Sequence, residues 1–173
     1  MSKLGAVLIS REEISGMVGR LAGQINEDYR GKEILLVGVL KGAMIFLADL
    51  CRAIEAPVTL DFIIVSSYGV ETNTSGVVLL RKDIDGDIEN KHVVIVEDII
   101  DTGVTLNYLK EMFIKRNPAS LKVCAAFDKP TRRTVDISPD YYGVRIPDVF
   151  VVGYGLDFAN MYRNLPDLCI LED

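Results

Sequence analysis

A chain of 173 residues suits one domain and is long enough to bury roughly 70% of the surface its unfolded form exposes, so a closed core needs neither disulfides nor a structural metal. Acidic side chains outnumber basic ones 25 to 19, a formal charge of -6, and the basic residues are scattered apart from pairs such as Arg132-Arg133. That argues against a large nucleic-acid surface while leaving room for a small phosphate ligand held by local groups.

The one histidine, His92, opens an apolar run and reads as a strand-edge residue, which leaves little for a metal cage or a Ser-His triad. Cys51, Cys124 and Cys169 lie far apart in apolar surroundings with no C-x-x-C pair, as expected of buried thiols in a reducing cytosol. The N-terminus shows no basic stretch followed by an apolar core, and no segment approaches the length of a membrane span. A cytoplasmic protein is the expectation.

In chain order, Ser10 and Glu13 stand in capping-box spacing, and Ile14, Val18, Leu21 and Ile25 share one helical face before Gly31. An amphipathic helix follows. EILLVGVL (33–40) is a near-continuous apolar run, the mark of a strand covered on both faces. After Lys41-Gly42 comes AMIFLADLCRAI, helical in content, and after Pro57 VTLDFIIVSS is strand-like again. The order repeats in HVVIVED (92–98), TLNYLKEMFIKR (105–116) and LKVCAAF (121–127). Such alternation predicts an α/β fold, a parallel sheet with helices on both faces and a ligand crevice beyond the carboxyl ends of the strands. The tail pieces YGVRIP, VFVVGYG and DLCILE are short and broken by Pro147, Pro166 and turns. They are expected to form a small hood over the crevice, built from the N-terminal segment and residues of about 142–173, within a single domain of 1–173.

Glu97 and Asp98 fall where the predicted strand ends, and Asp101-Thr102-Gly103-Val104-Thr105 turns the chain into a helix. Capping alone accounts for Asp101 or Thr102. It does not account for adjacent carboxylates, which repel unless cations or hydroxyl donors compensate them. Carboxylates for ribose hydroxyls and magnesium, with amides and threonines for a phosphate at a helix N-terminus, suit a sugar phosphate.

VVIVEDIIDTGVTL (93–106) resembles the phosphoribosyl-pyrophosphate (PRPP) motif of type I phosphoribosyltransferases. LKGAMIFLADL (40–50), VSSYGVETNTSG (65–76) and IPDVFVVGYGLDFANMYRNLP (146–166) resemble, in order and spacing, the hypoxanthine-guanine phosphoribosyltransferases of bacterial type. The resemblance implies the type I phosphoribosyltransferase fold and Mg2+-dependent transfer of a phosphoribosyl group from PRPP to a 6-oxopurine. It implies that Glu97, Asp98, Asp101, Thr102, Gly103, Val104 and Thr105 hold ribose and phosphate, with Asp101 as general acid/base near purine N7. Lys41, Gly42 and Arg163 correspond to pyrophosphate contacts, the first through a loop often carrying a cis peptide at Leu40-Lys41. Ser67 and Tyr68 match the pair in a lid that keeps water from the reacting ribose.

Lys129 matches a lysine aimed at purine O6, Phe150 a ring that stacks on the base, Val151 a backbone contact to its edge, and Asp157 an acid at that end of the site. Glu97, Asp98 and Asp157 are the implied magnesium ligands. Read alone, Lys41-Gly42 is a surface turn, Lys129 a solvated lysine and Phe150 a core residue of an apolar strand. Val104 stands where some relatives carry lysine, and Phe158 where many have tyrosine. By resemblance the assembly is a homodimer or homotetramer, without nucleic-acid or membrane partners. Two alternatives stay open: a nucleotide-binding regulator of the same fold, and a transferase for another base such as xanthine.

Overall fold

The computed structural model describes residues 3–68 and 77–172, with Ser67 and Tyr68 described in their backbone alone. The elements are β1 (Lys3–Ile9), α1 (Arg11–Asp28), β2 (Ile34–Leu40), α2 (Met44–Ala53), β3 (Val58–Tyr68), β4 (Val77–Lys82), β5 (His92–Ile100), α3 (Val104–Ile114), β6 (Ser120–Asp128), a short 3-10 turn (Pro130–Arg132), β7 (Tyr141–Arg145), β8 (Val151–Val152) and β9 (Leu168–Glu172). Six strands form one sheet in the order β4-β3-β2-β5-β6-β7, and β1-β9-β8 form a second.

The apolar run of β2 is buried on both sides because alternate residues point to opposite faces. Ile34 and Leu36 join the core under α1 and α2, whereas Leu35, Val37 and Val39 join the core that contains Leu106, Leu109 and Phe113 of α3. The β5 residues divide in the same way, Val94 and Val96 to the first core and Val93 and Ile95 to the second. At the start of α1, Ser10 Oγ accepts from the Glu13 amide at 3.2 Å while Glu13 Oε2 accepts from the Ser10 amide at 2.8 Å. The predicted capping box is formed, a feature of about 1 kcal/mol.

Several expectations are corrected. The large sheet is mixed, since β4 runs antiparallel to β3 with a burial pattern that alternates at the edge. YGVRIP does not join the hood: β7 pairs in parallel with β6 and forms an edge of the large sheet. The reason is packing, because Tyr141 and Gly143 are buried and a Cβ on Gly143 would lie 2.1 Å from Met17 Sδ of α1. The antiparallel second sheet is built instead from β1, β8 and β9, joining the two ends of the described chain.

β5 continues past the acid pair to Ile100, with Glu97 beside Ala125 and Ile99 beside Phe127 of β6. His92 begins β5 as expected, its Nδ1 2.8 Å from Ser120 Oγ and its ring edge-on to Tyr29. Cys124 and Cys169 are buried free thiols, but Cys51 is only half-buried on α2. Phe150 is 54% exposed just before β8, contrary to its reading as a core residue. Among the described residues, no helix is long and apolar enough to cross a membrane.

Candidate active site

Strands β2, β5 and β6 run in parallel, so the loops that follow them open at one end of the sheet. Lys41-Gly42 leaves β2 through a cis Leu40-Lys41 peptide. Gly42 lies so close to the β5 acid pair that a Cβ on it would fall 1.6 Å from Asp98 Oδ2. From the other side, Gly155 has φ +97° and no room for a Cβ, which would stand 2.1 Å from Gly42 O. Two glycines therefore let three chain segments converge on one carboxylate.

Glu97 is buried, and burial with the neighbouring Asp98 charge drives its carboxyl well above the usual range. Burial also pushes Asp98 up to about 6, against hydrogen bonding by the Ile99 amide and attraction from Arg163. The folded state therefore holds protons that the unfolded chain releases at lower pH. The cost to folding is absent below pH 4 and grows until Asp98 is ionised near pH 6. An Asp98→Asn variant, which retains an oxygen for Ile99 N, is expected to match the parent in urea unfolding at pH 4. By pH 7 it should exceed it by about 2 kcal/mol, and an advantage at pH 4 that vanished by pH 7 would contradict this assignment.

After β5, Gly103 takes φ +85° as the residue preceding α3, with no side-chain cap. Glycine, and neither Asp101 nor Thr102, occupies the cap position, so ordinary capping does not account for those two residues. Thr102 Oγ1 accepts weakly from the Val104 amide at 3.4 Å. A cavity of about 210 Å³ lies here, bounded by the acid pair, Asp101, Thr102, Gly103 and Thr105. Its size and its position at a helix N-terminus suit a phosphate with part of a sugar. Gly103 also packs beside Ile137, whose Cγ2 would be 2.5 Å from an added Cβ. Gly103→Ala is expected to destabilise the fold by about 1–3 kcal/mol, as read by thermal unfolding.

Asp101 is half-exposed at the mouth, its Oδ1 3.0 Å from Arg132 Nε. Lys129 is buried, and its Nζ donates to Val149 O at 2.7 Å. Phe150 meets Phe158 edge-on at 5.9 Å, and Val151 is buried at the start of β8. Asp157 and Arg163 form an ion pair at 2.6 Å, with Arg163 also donating to Gly155 O at 2.7 Å. Both charges act on Asp98, in opposite directions. Lys41 is exposed. Residues 69–76 of the segment expected to form a lid lie outside the described residues, while the backbones of Ser67 and Tyr68 pair with Val78 and Val77.

The carboxylates expected to serve magnesium are Glu97 and Asp98 on one strand and Asp157 on the later turn, and they do not converge into a protein cage. Among the described residues, no group of three or more His, Cys, Asp or Glu side chains could hold a metal ion. This sparse oxygen set fits magnesium, which takes few carboxylates and fills its octahedron with phosphate oxygens and water.

Residues 10–159 match the phosphoribosyl transferase domain family. The chain belongs to this family. It is 48% identical over 167 residues to a hypoxanthine-guanine phosphoribosyltransferase of Streptococcus mutans, covering 96% of this chain and 93% of that one. Its identity to the protein of the same name from Bacillus subtilis is 47% over 166 residues, 96% of this chain and 92% of the other. A crystal structure of a hypoxanthine-guanine phosphoribosyltransferase from Bacillus anthracis superimposes with a TM-score of 0.93 at 47% identity over the full length of both chains. The type I phosphoribosyltransferase fold expected from the motif is therefore the fold of this chain.

Within this phosphoribosyltransferase, Val104 begins α3 and Phe158 packs on Phe150, so neither departure from the motif breaks the local structure. Sequence reasoning missed Asp128, Arg132 and Arg133. Arg132-Arg133 was visible only as a charge pair, and Asp128 as an acid ending an apolar run. Arg132 and Arg133 reach Asp101 from a segment far along the chain, and although Asp128 and Arg133 lie close in sequence they sit in a strand end and a loop, where no helical or strand period pairs them.

Proposed function

We propose that this chain transfers the 5-phosphoribosyl group of PRPP to N9 of hypoxanthine or guanine, releasing pyrophosphate and forming IMP or GMP in purine salvage. The observation that carries this reading is the juxtaposition at the end of β5: adjacent carboxylates, Glu97 buried and Asp98 half-buried, then a helix N-terminus without a side-chain cap behind Gly103. The first suits ribose hydroxyls and the second a 5'-phosphate, which no ordinary helix cap requires.

In this mechanism the amides after Gly103, with Thr102 and Thr105, bind the 5'-phosphate and place the ribose against Glu97 and Asp98. Lys41, Gly42 and Arg163 receive the pyrophosphate, Arg163 exchanging its pairing with Asp157 for the leaving group. Lys129 turns from Val149 O to donate to purine O6, Phe150 offers its exposed face to the ring, and the Val151 backbone meets the base edge. Asp101, released from Arg132, takes the purine proton near N7 as N9 attacks C1 of the ribose. Bound Mg2+, held by Glu97, Asp98 and Asp157 as needed, would neutralise charge on ribose and pyrophosphate oxygens. Ser67 and Tyr68 belong to the lid that excludes water from the oxocarbenium-like centre. The whole chain, 1–173, acts as one cytoplasmic domain with the second sheet as its hood, in a homodimer or homotetramer.

Pyrophosphate release from magnesium-PRPP, with hypoxanthine, guanine, xanthine and adenine in parallel, tests the reading. Turnover with 6-oxopurines but not adenine is expected, and the rates rank the C2 preference. Tight PRPP binding without turnover on any base would overturn it in favour of a nucleotide-binding regulator.

A further inference from the structure

Arg133 is a charged side chain only 14% exposed, and it is turned inward beneath the mouth of the site. Its Nη1 donates to Asp101 O at 2.7 Å, to Ile100 O at 3.1 Å and to Lys129 O at 3.4 Å. Its Nε donates to Ile137 O at 2.9 Å, and its Nη2 pairs with the Asp128 carboxylate. Asp128 is itself 2% exposed, with its other oxygen 3.7 Å from Arg145 Nε. All the nitrogens of one planar group are thus engaged by three segments: the end of β5, the end of β6, and the loop that buttresses Gly103.

We propose that Arg133 is a positioning residue that sets Asp101 and Lys129 at their working separation by clamping the backbone carbonyls of both. The inference rests on the transferase reading, in which these two residues meet N7 and O6, neighbouring atoms on one edge of the purine. Backbone bonds reinforce the clamp, Lys129 N to Ile100 O at 2.9 Å and Thr134 N to Thr102 O at 3.0 Å. Those bonds tie the segments together, but among the described residues only the guanidinium reaches the carbonyls of both Asp101 and Lys129. Lysine has a single nitrogen, so it could meet Asp128 or these carbonyls but not both at once, and it has nothing in the place of Nε at Ile137 O.

Arg133→Lys separates positioning from mere support of the fold. The parent, Asp101→Asn and Arg133→Lys are assayed together for thermal unfolding, kcat, KM for PRPP, and the ratio of kcat/KM for hypoxanthine over adenine. Arg133→Lys is expected to remain folded, to lose about 10- to 100-fold in kcat, since small misplacements of reacting groups cost that much, and to discriminate less against adenine at little changed KM for PRPP. A purely supporting residue would lower the unfolding temperature and leave both kcat and discrimination alone. If the lysine variant does not fold, the double variant Arg133→Gln, Asp128→Asn removes the clamp without stranding a buried charge, and the same losses are expected. Either variant folding with parental kcat and discrimination overturns the inference, as does failure of both to fold. A parent that turns over no base refutes the transferase reading instead.

Discussion

Asp101→Asn is expected to lower kcat for hypoxanthine by about 10²- to 10⁴-fold, the range lost when a positioned acid/base group is removed, while PRPP binding stays close to that of the parent. Asparagine has nearly the same volume and keeps an oxygen for Arg132, whose Nε lies 3.0 Å from the carboxylate. The turn itself is held by other groups: the Asp101 carbonyl is bound by Arg133, and Gly103 rather than Asp101 precedes α3. The substitution therefore removes proton-accepting capacity and little else. Stopped-assay pyrophosphate release gives kcat, and equilibrium titration with magnesium-PRPP gives affinity. A variant retaining parental kcat would remove Asp101 from the chemistry, whereas equal losses in kcat and PRPP affinity would make it a ribose-phosphate ligand only.

Lys129→Gln is expected to cost two to four orders of magnitude in preference for hypoxanthine over adenine, consistent with the discrimination available from a buried polar pairing. The Nζ of Lys129 can only donate, and it sits in a buried position with Val149 O as its partner. A 6-oxopurine offers a second acceptor, whereas the amino group of adenine brings donor against donor. Glutamine can present either a donor or an acceptor, so the penalty against adenine shrinks while catalysis of the 6-oxo bases falls. Ratios of kcat/KM measure this directly. Unchanged discrimination would move base selection to the backbone around Val151.

Much of this arrangement could be read from the chain because its causes are local. Near-continuous apolar runs mark β2, β5 and β6, a capping box starts α1, and the acidic pair followed by Thr-Gly marks the crevice end of β5. Elements whose identity depends on a distant neighbour escaped. YGVRIP is an edge strand of the large sheet because Met17 of α1 and the β6 backbone receive Gly143, and no spacing within that segment reports them. Phe150 lies in an apolar stretch yet remains exposed, because Val151 and Val152 take the buried positions in β8 while the chain turns outward just before them.

By itself the sequence determined the α/β alternation, the membership of the phosphoribosyltransferase family and the side-chain types available for chemistry, since these follow from hydropathy period and contiguous motifs. Only the tertiary structure decided that Gly42 and Gly155 close on Asp98, that burial raises both carboxyls of the acid pair, and that Arg133 joins the carbonyls of Asp101 and Lys129. Desolvation and hydrogen bonding depend on distances between segments far apart along the chain. Those distances exist only once the strands have paired.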